Sequence, residues 1–307
     1  MLKRLSSYTF ALLAVFVLIS SCKKEYESIE DIDDTEIQQY LSANKITATK
    51  DDKGIYTQIV SQGTGDTYKN TDSVLYHWSI KSITTGSVYY IDSQVANTAS
   101  IVAYTNSITI PRQSITIDLP AFRAAILSLK PGGVAKLFVP SNRGYGKNGY
   151  DVADVISIPG NEPLEITIST LSDRSQSALD EKLIQAYIAK NKLTMTRDAS
   201  GVYYSIATRG VGSVVINKGT TISANYIVRL LDGTVATSVT DGTFSGVTLA
   251  TSGQPEGWLK VIPMVTAGGK VRMIIPSTLA YGNSYSSTIT GNAVLDFDVE
   301  VLTAINQ

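Results

Sequence analysis

Residues 267–282 read AGGKVRMIIPSTLAYG and residues 131–146 read PGGVAKLFVPSNRGYG, with the same order of glycines, apolar residues, proline and tyrosine. A second match aligns residues 36–65 with residues 183–212 without a gap, and 13 of 30 positions are identical. Internal similarity on this scale indicates a tandem duplication. The spacing between the copies falls from 147 to 136 residues, so the first copy carries about eleven extra residues, which we place within 89–113.

Composition limits what such a chain can do. The 307 residues are 43% hydrophobic and 17% charged, which excludes a disordered chain. The length is sufficient for two domains. With 26 basic and 27 acidic residues the formal net charge is −1, so the chain lacks the basic surface expected of a nucleic-acid-binding protein.

Apolar periodicity predicts three strands in each copy, with one short helix between strands. The predicted strands are residues 55–60, 74–80, 115–119, 202–207, 222–231 and 295–301. The short helices should begin at Pro120 and Pro255, because proline in a first helical turn loses no hydrogen bond. A longer helix precedes each copy, capped by Asp34 or Thr35 in the first and by Ser177 in the second. These elements indicate an α+β fold class.

The amino terminus has the features of an export signal. Lys3 and Arg4 precede a ten-residue apolar run, residues 10–19, which is too short to span a bilayer. The only cysteine, Cys22, follows directly, and the segment ISSC resembles the lipobox of bacterial lipoproteins. This resemblance implies that Cys22 is acylated and holds the protein to a membrane of the cell envelope. The outer membrane is expected, with the periplasmic or surface face left open, and a plain secretory signal with an incidental cysteine is the alternative.

Five blocks follow one another in the second copy: GVYYSIATRGVG, ISANYIVRLLDGT, PEGWLKVI, GGKVRMIIPSTLAYG and AVLDFDVEVL. This series resembles the FKBP-type peptidyl-prolyl cis-trans isomerases, and the first copy carries the corresponding series. The resemblance implies two FKBP-like domains, each an antiparallel sheet wrapped around one short helix with an apolar pocket between them. The implied organisation is a lipoprotein signal peptide at 1–21, an acidic tether and short helix at 22–49, the first domain at 50–172, a linker helix at 173–192 and the second domain at 193–307.

The chemistry of this family requires no nucleophile, metal or cofactor, and none is expected here. Its substrates are proline-containing polypeptides, which for an envelope protein would be exported proteins. Rotation about an X-Pro bond faces a barrier of about 18–20 kcal/mol, which amide resonance creates. An apolar pocket lowers that barrier by favouring the twisted amide over the planar, charge-separated one.

The resemblance also assigns site residues. In the first copy the catalytic positions fall on Asp92 and Tyr145. Substrate-binding positions in that copy are Trp78, Ile91, Leu119, Phe122, Ile158 and Ile166. Leu119 is included for its backbone N–H, which the family points at the substrate carbonyl. In the second copy Tyr281 is the catalytic position, and Tyr226, Trp258 and Phe297 bind substrate. For Trp258 and Phe297 the sequence leaves open whether they form a pocket floor or ordinary core.

Some positions depart from the family pattern. Ala236 and Thr237 replace the usual Phe-Asp pair of the second copy, and Pro255 has no N–H at the donor position. We therefore expect any activity to reside mainly in residues 50–172. The alternative is a catalytically degenerate module that keeps the fold and binds peptides or an envelope partner.

Overall fold

The computed structural model describes residues 27–92, 95–110, 116–152, 156–250, 253–284 and 288–306. The expected signal peptide and Cys22 lie outside these residues. Within the described ranges, the helices are all too short or too polar to cross a membrane.

Four α-helices are present in the described part of the chain. They are α1 Ile29–Ala43, α2 Pro120–Ser128, α3 Gln176–Lys190 and α4 Trp258–Val261. Ser28 caps α1 and Ser175 caps α3, each by accepting a backbone N–H of the first turn. The predicted caps Asp34, Thr35 and Ser177 are wrong, because all three lie inside the helices.

The short helix of each copy begins differently. Pro120 is the first residue of α2, as predicted. Pro255 does not begin α4. It lies in a turn that its carbonyl closes by accepting the N–H of Trp258, where α4 starts.

The first repeat is built on a seven-stranded antiparallel sheet. Its strands are β1 Thr49–Lys50, β2 Tyr56–Ser61, β3 Ser73–Ser82, β4 Val88–Ile91, β5 Thr98–Ile101, β8 Val134–Val139 and β11 Leu164–Thr170. The order is β1-β2-β8-β11-β3-β4, with β5 also pairing with β3. Two hairpins complete the repeat: β6 Ser107–Thr109 with β7 Thr116–Asp118, and β9 Tyr150–Val152 with β10 Ile156–Ile158.

The second repeat has the same strand order. Its strands are β12 Thr196–Arg197, β13 Tyr203–Thr208, β14 Thr221–Leu230, β15 Val235–Val239, β16 Val247–Thr248, β17 Lys270–Ile275 and β18 Leu295–Ile305. They are arranged β12-β13-β17-β18-β14-β15, with β16 also on β14. Each sheet covers its short helix, and the buried side chains of sheet and helix form one apolar cluster per repeat. The expected antiparallel sheet around one short helix is confirmed in both copies.

The extra residues of the first copy form a hairpin. Ile101 pairs with Ser73 on β3, and Thr248, 147 residues later, pairs with Thr221 on β14. The spacing between the copies is therefore still 147 residues at Ile101, within one residue of its value at Ser73. The additional chain follows Ile101 and contains β6 and β7, so it extends beyond the predicted limit of residue 113.

Helices α1 and α3 pack on the outside of their sheets. Ile37 of α1 and Ile184 of α3 are fully buried in apolar clusters against the first and second sheet. Each helix also supplies one buried carboxylate as a hydrogen-bond acceptor. Asp33 accepts the N–H and hydroxyl of Ser141 (2.7 and 2.6 Å), and Asp180 accepts those of Ser277 (2.8 and 2.7 Å). The helices expected as tether and linker are therefore integral layers of the two repeats.

Candidate active site

An aromatic cluster lies between the sheet and α4 in the second repeat. Alternation along β14 turns Tyr226 inward, and Phe297 enters from the neighbouring strand β18. The ring of Trp258 lies 5.6 Å from Tyr226 at 85° and 5.8 Å from Phe297 at 83°. Aromatic rings prefer such edge-to-face contacts, so the three side chains hold one another in place.

A fourth ring, Phe244, covers this cluster. Its centroid lies 5.2 Å from Tyr226 and 5.9 Å from Trp258. The sequence analysis missed it, although a single aromatic residue inside the glycine-containing stretch DGTFSG was a visible signal. Trp258 and Phe297 are almost fully buried beneath neighbouring rings, as expected both of ordinary core residues and of a pocket floor.

The indole N–H of Trp258 is buried and has no hydrogen-bond partner in the described structure. Buried donors without partners are uncommon in folded proteins. The second cluster therefore contains one unused donor in otherwise apolar surroundings.

Tyr145 and Tyr281 occupy corresponding places in the two repeats. Burial raises the pKa of both phenols, so both remain protonated at neutral pH. Among the described residues neither hydroxyl has a hydrogen-bond partner, and each is therefore available to a ligand. Both rings pack against the apolar cluster of their own repeat, and the ring of Tyr145 also stacks on Tyr150 at 5.7 Å and 20°.

The first repeat has a similar ring contact between strand and helix, but with the tryptophan on the strand instead of on the helix. Trp78 stands on β3 where the second repeat has Tyr226, and Phe122 stands on α2 where the second repeat has Trp258. Their centroids are 6.2 Å apart at 89°. Tyr90 packs on Trp78 at 4.6 Å. Ile158 and Ile166 are buried in the same apolar cluster.

Asp92 lies next to this cluster. Its Oδ2 accepts the backbone N–H of Trp78 (3.2 Å) and the hydroxyl of Thr98 (3.3 Å), and its Oδ1 accepts the hydroxyl of Tyr90. Burial raises the pKa of the Asp92 carboxyl to about 6, and these hydrogen bonds only partly oppose the effect. The group therefore changes charge close to neutral pH.

Two assignments made for the first repeat are wrong. Ile91 is 65% exposed, because β4 turns it away from the cluster, and Tyr90 takes the place against Trp78. The N–H of Leu119 is not available to a substrate, because it donates to the carbonyl of Asn106 at 2.6 Å. Asn106 immediately precedes β6, so it is the extra hairpin that supplies the acceptor for the N–H of Leu119.

Both repeats therefore lack a free N–H at the donor position, the first through the Asn106 contact and the second through Pro255. No group of three or more His, Cys, Asp or Glu side chains within the described ranges could hold a metal ion. The polar groups left to a ligand are the hydroxyls of Tyr145 in the first repeat and Tyr281 in the second, because Asp92 already accepts three hydrogen bonds and the Trp258 indole is fully buried.

Comparison with known proteins identifies the second repeat. Residues 212–302 match the family model of FKBP-type peptidyl-prolyl cis-trans isomerases, so this repeat carries an FKBP-type domain and its resemblance to the family is confirmed. The chain is 31% identical over 127 residues to the FKBP-type peptidyl-prolyl cis-trans isomerase FkpA of Buchnera aphidicola, covering 40% of this chain and 50% of that protein. It is 30% identical over 131 residues to FkpA of Escherichia coli K12, covering 42% and 47%.

The crystal structure of FkpA from Escherichia coli is 26% identical, with a TM-score of 0.34, and the match covers 42% of this chain and 60% of that chain. The chain spans about half the length of the curated relatives it matches.

Proposed function

We propose that the protein is a peptidyl-prolyl cis-trans isomerase and that the pocket of the second repeat carries the reaction. The observation behind this proposal is the edge-to-face cluster of Tyr226, Trp258 and Phe297, which lies entirely within the segment that matches the isomerase family. With the covering ring of Phe244 displaced, an apolar floor of this kind would accept a proline ring and exclude water from the amide next to it.

Such a pocket would act on the electronic structure of the X-Pro amide. Removing water disfavours the charge-separated planar form, and the twisted form reached during rotation is then less costly. A tyrosine is protonated at neutral pH and burial raises the pKa of Tyr281 further, so its hydroxyl would donate to the substrate carbonyl. With Pro255 unable to donate, Tyr281 is the catalytic residue on which a hydrogen bond in the transition state would mainly depend.

This proposal moves the expected activity from the first repeat to the second. The sequence favoured residues 50–172 because Leu119 offered an N–H and Asp92 an acidic group. The hydrogen bond from Leu119 to Asn106 removes the first of these advantages. The Asp92 carboxylate is already engaged by three donors of its own repeat.

A protease-coupled assay with a short Leu-Pro peptide, on the chain from residue 23 onward, tests the proposal. Tyr281→Phe and Tyr145→Phe form a matched pair, because each removes one hydroxyl from a corresponding place. We expect Tyr281→Phe to lower kcat/KM by about tenfold, as for the loss of one hydrogen bond of ~1.4 kcal/mol, and Tyr145→Phe to lower it less. Wild-type protein at micromolar concentration that leaves the thermal rate unchanged would reject the enzyme.

A peptide-binding module without catalysis is the second candidate. It is favoured by one observation, the lack of a free donor N–H in both repeats. This candidate predicts that a proline peptide binds, as measured by calorimetry, while the isomerisation rate stays at its thermal value. Tyr281→Phe would then change affinity alone.

We further propose that Cys22 is acylated and anchors the protein in the cell envelope, where exported proline-containing polypeptides would be its clients. Support comes from the lipobox-like segment that ends at Cys22. Acyl chains contribute about 0.8 kcal/mol per buried methylene, so two or more of them hold a protein stably to a membrane. Cys22→Ser should leave the protein folded and release it from washed membranes. Its retention there would reject the anchor.

A further inference from the structure

The turn between β4 and β5 of the first repeat contacts the second repeat. Ala96 is only 6% exposed, and the residues that bury it belong to the apolar cluster of the second repeat, which includes Trp258 and Phe297. Val95 packs against the same cluster. A side chain of one domain is therefore buried in the core of the other.

Hydrogen bonds fix this turn in place. The side-chain amide of Asn292 donates to the main-chain carbonyl of Asn97 at 2.9 Å. The amide groups of Asn97 and Gln176 pair in both directions, at 2.9 and 3.1 Å, and Gln176 also donates to Asp180 at 2.8 Å. Asn97 and Asn292 are 4% and 8% exposed. Buried amides that are paired in this way define one specific geometry.

The contact involves the segment that follows Tyr281 in the second repeat. The backbone N–H of Asn292 donates to the carbonyl of Gly282 at 2.6 Å, and Gly282 directly follows Tyr281. Three residues before Asn292 stands Ile289, which is buried and corresponds to Ile158 of the first repeat. The turn is therefore hydrogen-bonded to the segment that follows Tyr281, and Val95 packs on the apolar cluster against which Tyr281 also packs.

The duplication supplies an internal comparison. Asn161 is the counterpart of Asn292: its φ is 58° against 56°, and its N–H donates to Gly146 at 2.9 Å. The side chain of Asn161 is exposed, whereas that of Asn292 reaches across to Asn97. Both repeats use the same backbone conformation and backbone hydrogen bond at this position. Only in the second repeat does the side chain, that of Asn292, also hold another segment.

We propose that Val95–Asn97 of the first repeat is a built-in ligand of the second repeat, which covers the pocket entrance beside Tyr281 and competes with client chains. This inference rests on the proposed function, because the competing client is a proline-containing polypeptide. A pocket that is open for only a fraction of the time binds its client more weakly by that fraction. Release of the turn therefore increases access without changing the pocket itself.

Asn292→Gly tests the inference, because glycine accepts the positive φ and removes only the side chain that holds Asn97. Asn161→Gly is the matched control, with the same change at the corresponding place. We expect Asn292→Gly to raise kcat/KM for the Leu-Pro peptide by about threefold or more, and to speed hydrogen exchange at the amides of 95–97. Asn161→Gly should do neither.

Ala96→Asp provides a second variant, since it places a carboxylate in the buried position, with the exposed Ala99→Asp of β5 as its control. Faster exchange at 95–97 with an unchanged kcat/KM would overturn the inference, and so would unchanged exchange in both Asn292→Gly and Ala96→Asp. If no protein, including wild type, accelerates isomerisation, the proposed catalysis fails. The inference is then decided by calorimetry with the same peptide: tighter binding by Asn292→Gly supports it and equal binding overturns it.

Discussion

Replacing Asp92 by asparagine should stabilise the first repeat above neutral pH. The carboxyl is buried beside Trp78 and Tyr90, and burial raises its pKa from 3.8 to about 6. A carboxyl whose folded pKa exceeds its unfolded value stabilises the fold fully below pH 3.8, and this contribution is lost as the pH rises through 6. At pH 8 the native state therefore contains a buried charge, whereas in the unfolded chain the same charge is stabilised by water.

The size of the effect follows from the same values. The rise from 3.8 to about 6 spans about two pH units, each corresponding to ~1.4 kcal/mol, so ionised Asp92 lowers the free energy of unfolding by about 3 kcal/mol at pH 8. Asparagine has one carbonyl oxygen instead of two carboxylate oxygens, so part of the hydrogen bonding to Trp78, Thr98 and Tyr90 is lost. We expect a net gain of about 1–2 kcal/mol for Asp92→Asn.

Urea unfolding at pH 4 and pH 8 measures this gain. The chain has two tryptophans, one in each repeat, so a Trp258→Phe background leaves Trp78 to report on the first repeat alone. Asp92→Asn should unfold at a higher urea concentration than its parent at pH 8 and at an equal or lower concentration at pH 4. Asp118→Asn, which alters an exposed aspartate on β7, is the control and should show no comparable change. A difference between Asp92→Asn and its parent that is the same at both pH values would refute the reasoning.

Two further changes test the packing of the second repeat. Asp180→Ala should lower the free energy of unfolding by about 2–3 kcal/mol, because Ser277 loses the acceptor of its buried N–H and hydroxyl. Urea unfolding in a Trp78→Phe background, in which Trp258 is the reporter, measures this loss, and an unchanged midpoint would contradict the docking of α3. Phe244→Ala should cost about 2–3 kcal/mol and shift the emission of Trp258 to longer wavelength, since the covering ring is removed. Emission identical to wild type would show that Phe244 does not shield the indole.

The sequence by itself determined the architecture. It predicted the duplication, six strand positions and the helix start at Pro120. These features could be predicted because hydrophobic alternation and proline geometry act over a few neighbouring residues. The order of short blocks identified the FKBP-type domain for the same reason. Helix caps were misjudged by two to seven residues, since Ser, Thr and Asp occur on both sides of the true starts and each is compatible with a cap.

Only the tertiary structure decided which groups of the site remain free. The N–H of Leu119 donates to the carbonyl of Asn106, thirteen residues earlier in the chain. Phe244 packs on Trp258 from a loop whose sequence has no hydrophobic periodicity. Asn97 meets Asn292 across 195 residues. Such a hydrogen bond or ring contact forms only where the whole fold brings distant segments together. A local sequence pattern therefore cannot predict which residue the partner will be.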